Sequence, residues 1–295
     1  MGFGELGVTL AERLARLPEN SVRAYAPART DAAGAAALEA RLRRARASRS
    51  ESIAEAIEGA AVVFSVAPAR VSLEVARAVA PLLAEGTHFV DFAPAPVADK
   101  QAGAELIAAA GGLYVDVGVL GTVAMSGHEV PLVLSGPGAQ SFGELIAGEG
   151  FELEILDAPS GHATLLKLLR SVYLKGRDAL IVEMMLAARR YGLEERVAES
   201  VRGPGETVPF PALADRVLCA LAVHAERRAQ ELRACGEVVA AAGVEPLGSR
   251  AAAEVLGAVA RLGLREAFHE QRPSSGAEVL AAIDERSGRV QARER

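Results

Sequence analysis

Up to about residue 158, short apolar runs alternate with stretches of helical period. From residue 159 nearly every stretch reads as helix, and a glycine pattern opens the chain. These observations predict an α/β fold: a Rossmann-type doubly wound sheet over residues 1–158, followed by an all-α C-terminal domain over residues 159–295. A length of 295 residues suits two domains. Hydrophobic residues make up 51%, enough for substantial cores, but aromatics are only 4% and Trp is absent. The cores must therefore be built from Ala, Val and Leu.

Charge and composition exclude several classes of function. A net charge of -6 and a pI near 5.6 argue against a nucleic-acid partner, which selects a basic face. The local run Arg41-Leu42-Arg43-Arg44-Ala45-Arg46 reads as a solvated helix face. No membrane partner is expected: the most apolar stretch, Leu106 to Met125, contains Asp116 and four glycines. Gly2 to Gly7 is not a basic segment leading into an apolar one, so it does not read as a secretion signal. Cys219 and Cys235 stand in Ala/Leu-rich helical sequence without a ligand pattern. They read as buried thiols in a reducing, cytoplasmic compartment.

The elements follow in order. Gly2-Phe3-Gly4-Glu5-Leu6-Gly7 fits G-x-G-x-x-G and leads into an amphipathic helix from Val8 to Leu17. Glycines so spaced allow a tight turn, a close approach of backbone to a pyrophosphate, and close helix packing. A strand, Val22 to Tyr25, follows at the distance a βαβ unit needs. The sequence shows no strand before Gly2, so either the first strand is missing, leaving the edges of two neighbouring strands facing an empty slot, or another segment is expected to fill its place. At the tip of the second strand, Tyr25-Ala26-Pro27-Ala28-Arg29-Thr30 carries no acid to bind a ribose hydroxyl. Arg29 and Thr30 can hold a phosphate there, which favours NADP over NAD without excluding NAD.

Ser48 to Ala60 reads as a helix and Ala61 to Val66 as a buried strand. Ser65, Val66 and Ala67 lie at its carboxyl end, where open α/β sheets bind ligands, and are candidate cofactor contacts. A helix over 71–83, a strand over 87–92, a helix over 98–110 and strands over 113–119 and 130–136 continue the alternation. Beyond Gly176, helices are expected over 178–190, 194–201, 212–242, 249–268 and 277–284, with a polar tail from Arg286.

The junction is the stretch from Ser160 to Gly176. Ser160 stands where an N-cap is expected, and Leu165, Leu168, Leu169 and Val172 recur at helical spacing. The chain has three lysines, Lys100, Lys167 and Lys175, among 32 basic residues, and two fall here. A desolvated lysine exchanges its proton near neutral pH, as arginine does not. Lys167 is therefore a candidate general acid/base, with the Ser171 hydroxyl one turn on. The plain alternative is a lysine whose stem covers a half-exposed helix. His88, His128, His162 and His269 form no metal-ligand constellation with Cys, Asp or Glu, so no metal is expected.

The glycine turn, Phe64-Ser65-Val66, Val90-Asp91-Phe92, Tyr114-Val115-Asp116-Val117-Gly118-Val119, Pro131 to Gly136, Leu166-Lys167 and Lys175-Gly176 come in a characteristic order. With His224 to Leu232, the chain resembles the 6-phosphogluconate dehydrogenase / β-hydroxyacid dehydrogenase superfamily over nearly its whole length. The closest resemblance is to its phosphogluconate-dehydrogenase-like members with a short helical C-terminal domain. That resemblance implies hydride transfer between nicotinamide and a small hydroxy acid, or the corresponding carbonyl, with Lys167 as the catalytic lysine. It implies substrate contacts from Gly118, Val119, Leu120 and Gly121 as a glycine-rich loop, from Ser171, and from His224 and Arg227. It also implies a homodimer. This chain departs from the pattern at Ala93-Pro94, where those relatives carry an Asn-Ser pair, and at Val119 and Leu120, where the loop lacks its serine. Imine reduction, or dinucleotide binding without catalysis, are the competing readings.

Overall fold

The structure is a computed structural model and describes residues 1–16, 20–26, 32–121, 127–201 and 208–293. The chain divides into two compact units, Met1–Val172 and Tyr173–Arg295.

In the first unit, α1 (Glu5–Leu14), β1 (Arg23–Ala24), α2 (Ala32–Arg44), β2 (Ser48–Arg49), α3 (Ile53–Ile57) and β3 (Val62–Ser65) are followed by α4 (Ser72–Val79) and β4 (His88–Asp91). Then come α5 (Val97–Ala109), β5 (Leu113–Val119), β6 (Leu132–Ser135), α6 (Ala139–Leu145) and β7 (Leu153–Ile155). Strands β3-β4-β5-β6-β7 form one sheet in that order, parallel except where β6 runs antiparallel to β5. β1 and β2 form a separate parallel pair.

Strand period decides the two faces. Val115, Val117 and Val119 of β5 join Leu10, Val90, Leu134 and Phe142 in one core. Tyr114, one residue out of phase, joins Ile57, Val79, Phe89 and Ile107 on the opposite face. Helices covering both faces make this the doubly wound sheet that the sequence predicts.

The expected helix from Ser48 to Ala60 is a correction. The chain first pairs with β1, Ser48 N–H donating to Val22 O at 3.0 Å and Ser50 N–H to Ala24 O at 2.9 Å. The helix starts only at Ser52, whose hydroxyl accepts from Glu55 N–H, and is over by Gly59, which has φ +63°.

The second unit is helical. α7 (His162–Arg190) is one continuous helix whose first turns belong to the first unit. α8 (Glu194–Val201), α9 (Phe210–Ala241), α10 (Leu247–Arg261), α11 (Leu264–Ala267) and α12 (Gly276–Arg293) follow. The single helix expected over 249–268 is broken at Gly263, which takes φ +64°. α12 runs beyond the short helix expected, anchored by buried Val279 and by Arg286, which donates to Leu262 O at 2.9 Å. Glu183 on α7 caps α10, accepting from Gly248 N–H at 2.6 Å and Ser249 N–H at 3.0 Å. Burial pushes its carboxyl up, but those bonds and the charge of Arg250 outweigh burial and hold it below the usual range.

β1 and β3 do not pair. Among the described residues, Met1 and Gly2 stand between them: Gly2 N–H donates to Tyr25 O at 2.9 Å, and Val66 N–H to Met1 O at 2.8 Å. The Met1 amine donates to Phe64 O at 2.8 Å, and burial lowers its pKa from 8.0 to about 6. The unfolded chain therefore binds more protons than the folded one between those values, so stability rises with pH across that window and is lowest below it. A lowering of that size corresponds to about 2–3 kcal/mol. Unfolding by urea at pH 5.5 and 8.5 should show this gain in the chain with a free Met1 amine and lose most of it after Nα-acetylation. An equal gain in both forms would place the titration elsewhere.

Candidate active site

The glycine turn is built by steric need. Gly2 takes φ +83°, and a Cβ there would lie 2.7 Å from Val66 O. A Cβ on Gly7 would lie 2.9 Å from Gly2 O, so α1 packs directly on the turn. Gly4 caps α1 with no side-chain bond, and nothing lies within 4 Å of where its Cβ would stand. The turn thus offers an uncapped helix N-terminus beside a bare Cα, as a pyrophosphate requires. Phe3 is buried in the core, Leu6 half-buried, and Glu5 exposed. Ser65 and Val66 end β3 against this turn, with Ala67 next. The buried Ser65 hydroxyl finds no partner among the described residues. Arg29 and Thr30 lie outside the described residues.

Beside this turn, the carboxyl ends of β4 and β5 hold a buried ionic cluster. Lys100 on α5 has no exposed side-chain surface. Its Nζ lies 3.0 Å from Asp91 Oδ2, 3.1 Å from Asp116 Oδ1 and 3.0 Å from the Asp91 carbonyl oxygen. Asp91 also accepts from Ser72 Oγ and Tyr114 OH, each at 2.8 Å, and from Ala93 N–H at 3.0 Å. Burial, then the Asp91 charge, pushes the Tyr114 phenol well above its ordinary range, so it stays a donor.

Asp116 reaches the start of α7. Its carboxylate accepts from Thr164 N–H at 2.9 Å and Thr164 Oγ1 at 2.6 Å, while Ser135 Oγ accepts from Ala163 N–H at 3.0 Å. The expected cap, Ser160, does not perform this task. Gly161, with φ +95°, turns the chain, and Asp116 and Ser135 from neighbouring strands satisfy the first N–H groups of the helix.

Lys167 stands half-buried one turn further along α7. A Cβ on Gly118 would collide with Ala163 O, and would lie 3.5 Å from the Lys167 Cβ. Gly118 is therefore the bare spot on β5 that lets α7 approach. Gly118 and Val119 lie within the strand, and Leu120 extends the pairing by donating to Pro131 O at 2.8 Å; Gly121 follows, exposed. Gly118 and Val119 are therefore strand residues paired with β6, and not part of a free loop. Ser171 donates its hydroxyl to the Lys167 carbonyl at 2.9 Å, leaving oxygen lone pairs as its remaining polar capacity. In the second unit His224 and Arg227 are placed on α9; Arg227 is exposed and pairs with Glu231. Among the described residues no group of three or more His, Cys, Asp or Glu could hold a metal ion, and no helix is long and apolar enough to cross a membrane.

Residues 1–144 match the family model described as the NAD binding domain of 6-phosphogluconate dehydrogenase. The N-terminal half belongs to this family. Residues 188–259 match a domain of unknown function, DUF1932. A conserved hypothetical protein from Sinorhizobium meliloti 1021 is 28% identical over 97% of this chain and 94% of its own, with a TM-score of 0.55. The conserved protein MTH1747, described as structurally similar to 3-hydroxyacid dehydrogenases, is 26% identical over 89% of this chain and 97% of its own, TM-score 0.56. A reductive aminase from Aspergillus terreus, 16% identical over 96% of both chains, shares the fold with a TM-score of 0.70. An uncharacterised 28.5 kDa protein from Methanothermus fervidus is 25% identical over 40% of this chain; the chain spans about half, 45%, of the length of that curated relative.

The ionic cluster of the NAD-binding domain is not assembled by sequence reasoning. Its one local signal is Lys100 itself, a lysine in a chain that otherwise prefers arginine. Lys100→Met should cost about 3–5 kcal/mol in urea unfolding, because two buried carboxylates lose their cation. A loss under about 1 kcal/mol would show that the cluster is not desolvated.

Proposed function

We propose that this protein is an NAD(P)-dependent oxidoreductase that transfers a hydride between nicotinamide and a small hydroxy acid or its carbonyl, with Lys167 as general acid/base. The observation that carries this reading is the close approach of α7 to Gly118, where an added Cβ would collide with Ala163 O and lie 3.5 Å from the Lys167 Cβ. β3, β4 and β5 are parallel, so the glycine turn at the end of β3 and Gly118 near the end of β5 share the carboxyl edge of the sheet. Ligands of open α/β sheets bind at that edge. A bound nicotinamide supplies or accepts the hydride. In reduction Lys167 donates a proton to the oxygen that becomes the hydroxyl; in oxidation it takes that proton back. Gly4 and the start of α1 hold the pyrophosphate, and Ser65, Val66 and Ala67 flank it.

Imine reduction is the second reading. It is favoured by Ala93-Pro94, which offers no side-chain donor beside the strand end, and by the fold shared with a reductive aminase captured with NADPH4, cyclohexanone and allyl amine. Lys167 would then protonate nitrogen in place of oxygen.

The test is a turnover assay with NADPH and NADH over a panel of keto acids and cyclic imines. Lys167→Met should keep cofactor affinity and lower the rate by about a hundredfold or more, the scale of general acid/base catalysis. Lys167→Arg should not restore it, since guanidinium holds its proton. Near-normal turnover of the Met variant removes Lys167 from the chemistry. We read Arg29 and Thr30 as favouring NADP, and a native preference for NADH in the same assay removes that reading.

A homodimer is the assembly we favour. Leu169, Val172, Val182 and Leu186 on α7 are each 49% or more exposed in the single chain. Exposed apolar residues in this number mark an interface, and an obligate one buries over about 2,000 Å². Sedimentation at micromolar concentration should give twice the chain mass; a monomer there rules this assembly out.

A further inference from the structure

We propose that Thr164, tethered by Asp116, is a positioning residue for Lys167, so that the buried ionic cluster sets where the Lys167 ammonium is delivered. The inference rests on the reading of Lys167 as general acid/base. Both oxygens of Asp116 are committed. Oδ1 takes the Lys100 ammonium at 3.1 Å and the Thr164 hydroxyl at 2.6 Å. Oδ2 takes Thr164 N–H at 2.9 Å and the Ser135 hydroxyl at 3.2 Å. Ser135 in turn accepts from Ala163 N–H at 3.0 Å.

The first N–H groups of a helix need acceptors, and the bonds to Ala163 and Thr164 N–H meet that need. The Thr164 hydroxyl bond is surplus to capping. Its effect is geometric. One bond to a carboxylate is a pivot, about which the first turn of α7 can swing. A second bond from the same residue, through its side chain, fixes the rotation of the helix as well. Thr164 is fully buried, so it acts only through its neighbours.

Lys167 is the neighbour that the tether reaches. It lies three residues on, hence on the same face of α7. Helical side chains lean back over the preceding turn, here the turn that carries Thr164. Gly118, two residues beyond Asp116 on the same face of β5, limits the helix from the other side. A Cβ there would collide with Ala163 O and lie 3.5 Å from the Lys167 Cβ. The base of the Lys167 stem is therefore held by a bond on one side and by close approach on the other. A general acid/base must sit within about 2.6–3.2 Å of its proton's partner. A misplacement of about 1 Å costs about a hundredfold in rate. Four flexible methylenes meet that demand only from a fixed base.

Thr164→Val removes the hydroxyl and keeps the capped N–H; Thr164→Ser keeps both. Because the chain has three lysines, placement can be measured without turnover. The full chain is briefly acetylated with acetic anhydride and the lysines are resolved by mass spectrometry. Lys175 is exposed and serves as the reference, and Lys100, with no exposed side-chain surface, reports whether the cluster is closed. In Thr164→Val the half-buried Lys167 should react faster relative to Lys175 than in the wild type, and Thr164→Ser should restore the wild-type ratio. With a substrate from the panel of keto acids and imines, Thr164→Val should lower kcat about tenfold or more and leave KM nearly unchanged, the mark of an interaction made in the transition state. It should lower nothing further in Lys167→Met. An unchanged or lowered labelling ratio in Thr164→Val overturns the proposal. So does wild-type turnover of Thr164→Val where Lys167→Met is impaired. If Lys167→Met turns over normally, the acid/base reading falls, while a raised labelling ratio still supports the tether. If Lys100 becomes reactive in Thr164→Val, the cluster has opened, and Thr164→Ala, which adds no methyl beside Asp116, is read by the same ratio with the same two outcomes.

Discussion

The structure around the candidate site depends on one buried ammonium. Lys100 places its three N–H donors on the Asp91 carboxylate, the Asp91 carbonyl and the Asp116 carboxylate. Asp91 ends β4, Asp116 lies within β5, and Lys100 comes from the helix between them. Desolvating three charges costs several kcal/mol for each ion, and attraction alone does not offset that. Here nearly every lone pair of the carboxylates has a further donor: Ser72, Ala93 and Tyr114 on one, Thr164 and Ser135 on the other. Two carboxylates and one ammonium leave one net negative charge. Asp116 turns that charge toward the start of α7, where the helix dipole is positive.

The consequence reaches Lys167, the lysine proposed as general acid/base. Thr164 is one turn before Lys167, so whatever holds Thr164 sets the rotation and depth of the Lys167 side chain. Asp116 holds it through both backbone and hydroxyl, and Gly118, two residues along the same strand and on the same face, gives the helix room to approach. β5 thus anchors α7 with a charge and makes way for it with a missing side chain. The departure at Ala93-Pro94 fits the same network. Ala93 is buried and its N–H serves Asp91, so this position contributes backbone to the cluster.

What can be read in advance is local. Val115, Val117 and Val119 alternate with Tyr114, Asp116 and Gly118, and that period is enough to predict a strand with two different faces. The strand at Ser48 is illegible in the sequence because its two residues are exposed and carry no apolar alternation; only their bonds to the β1 carbonyls make them a strand. β7 escapes for a similar reason, being three residues long. The N-cap expected at Ser160 is a sound local rule, outcompeted by a charged acceptor arriving from 48 residues away in sequence.

By itself the sequence determined the alternation of elements, the apolar faces, and the three glycines whose spacing demands a tight turn and close helix packing. These rest on backbone sterics and on periods of two and 3.6 residues, which act between near neighbours in the chain. Only the tertiary structure decided that Lys100 serves Asp91 and Asp116, that Gly118 meets Ala163 and Lys167, and that the walls of β1 and β3 face each other across Met1. Those pairings depend on which strand ends the sheet brings together. Charges, hydrogen-bond donors and bare Cα atoms find partners by proximity in space, which no periodicity along the chain encodes.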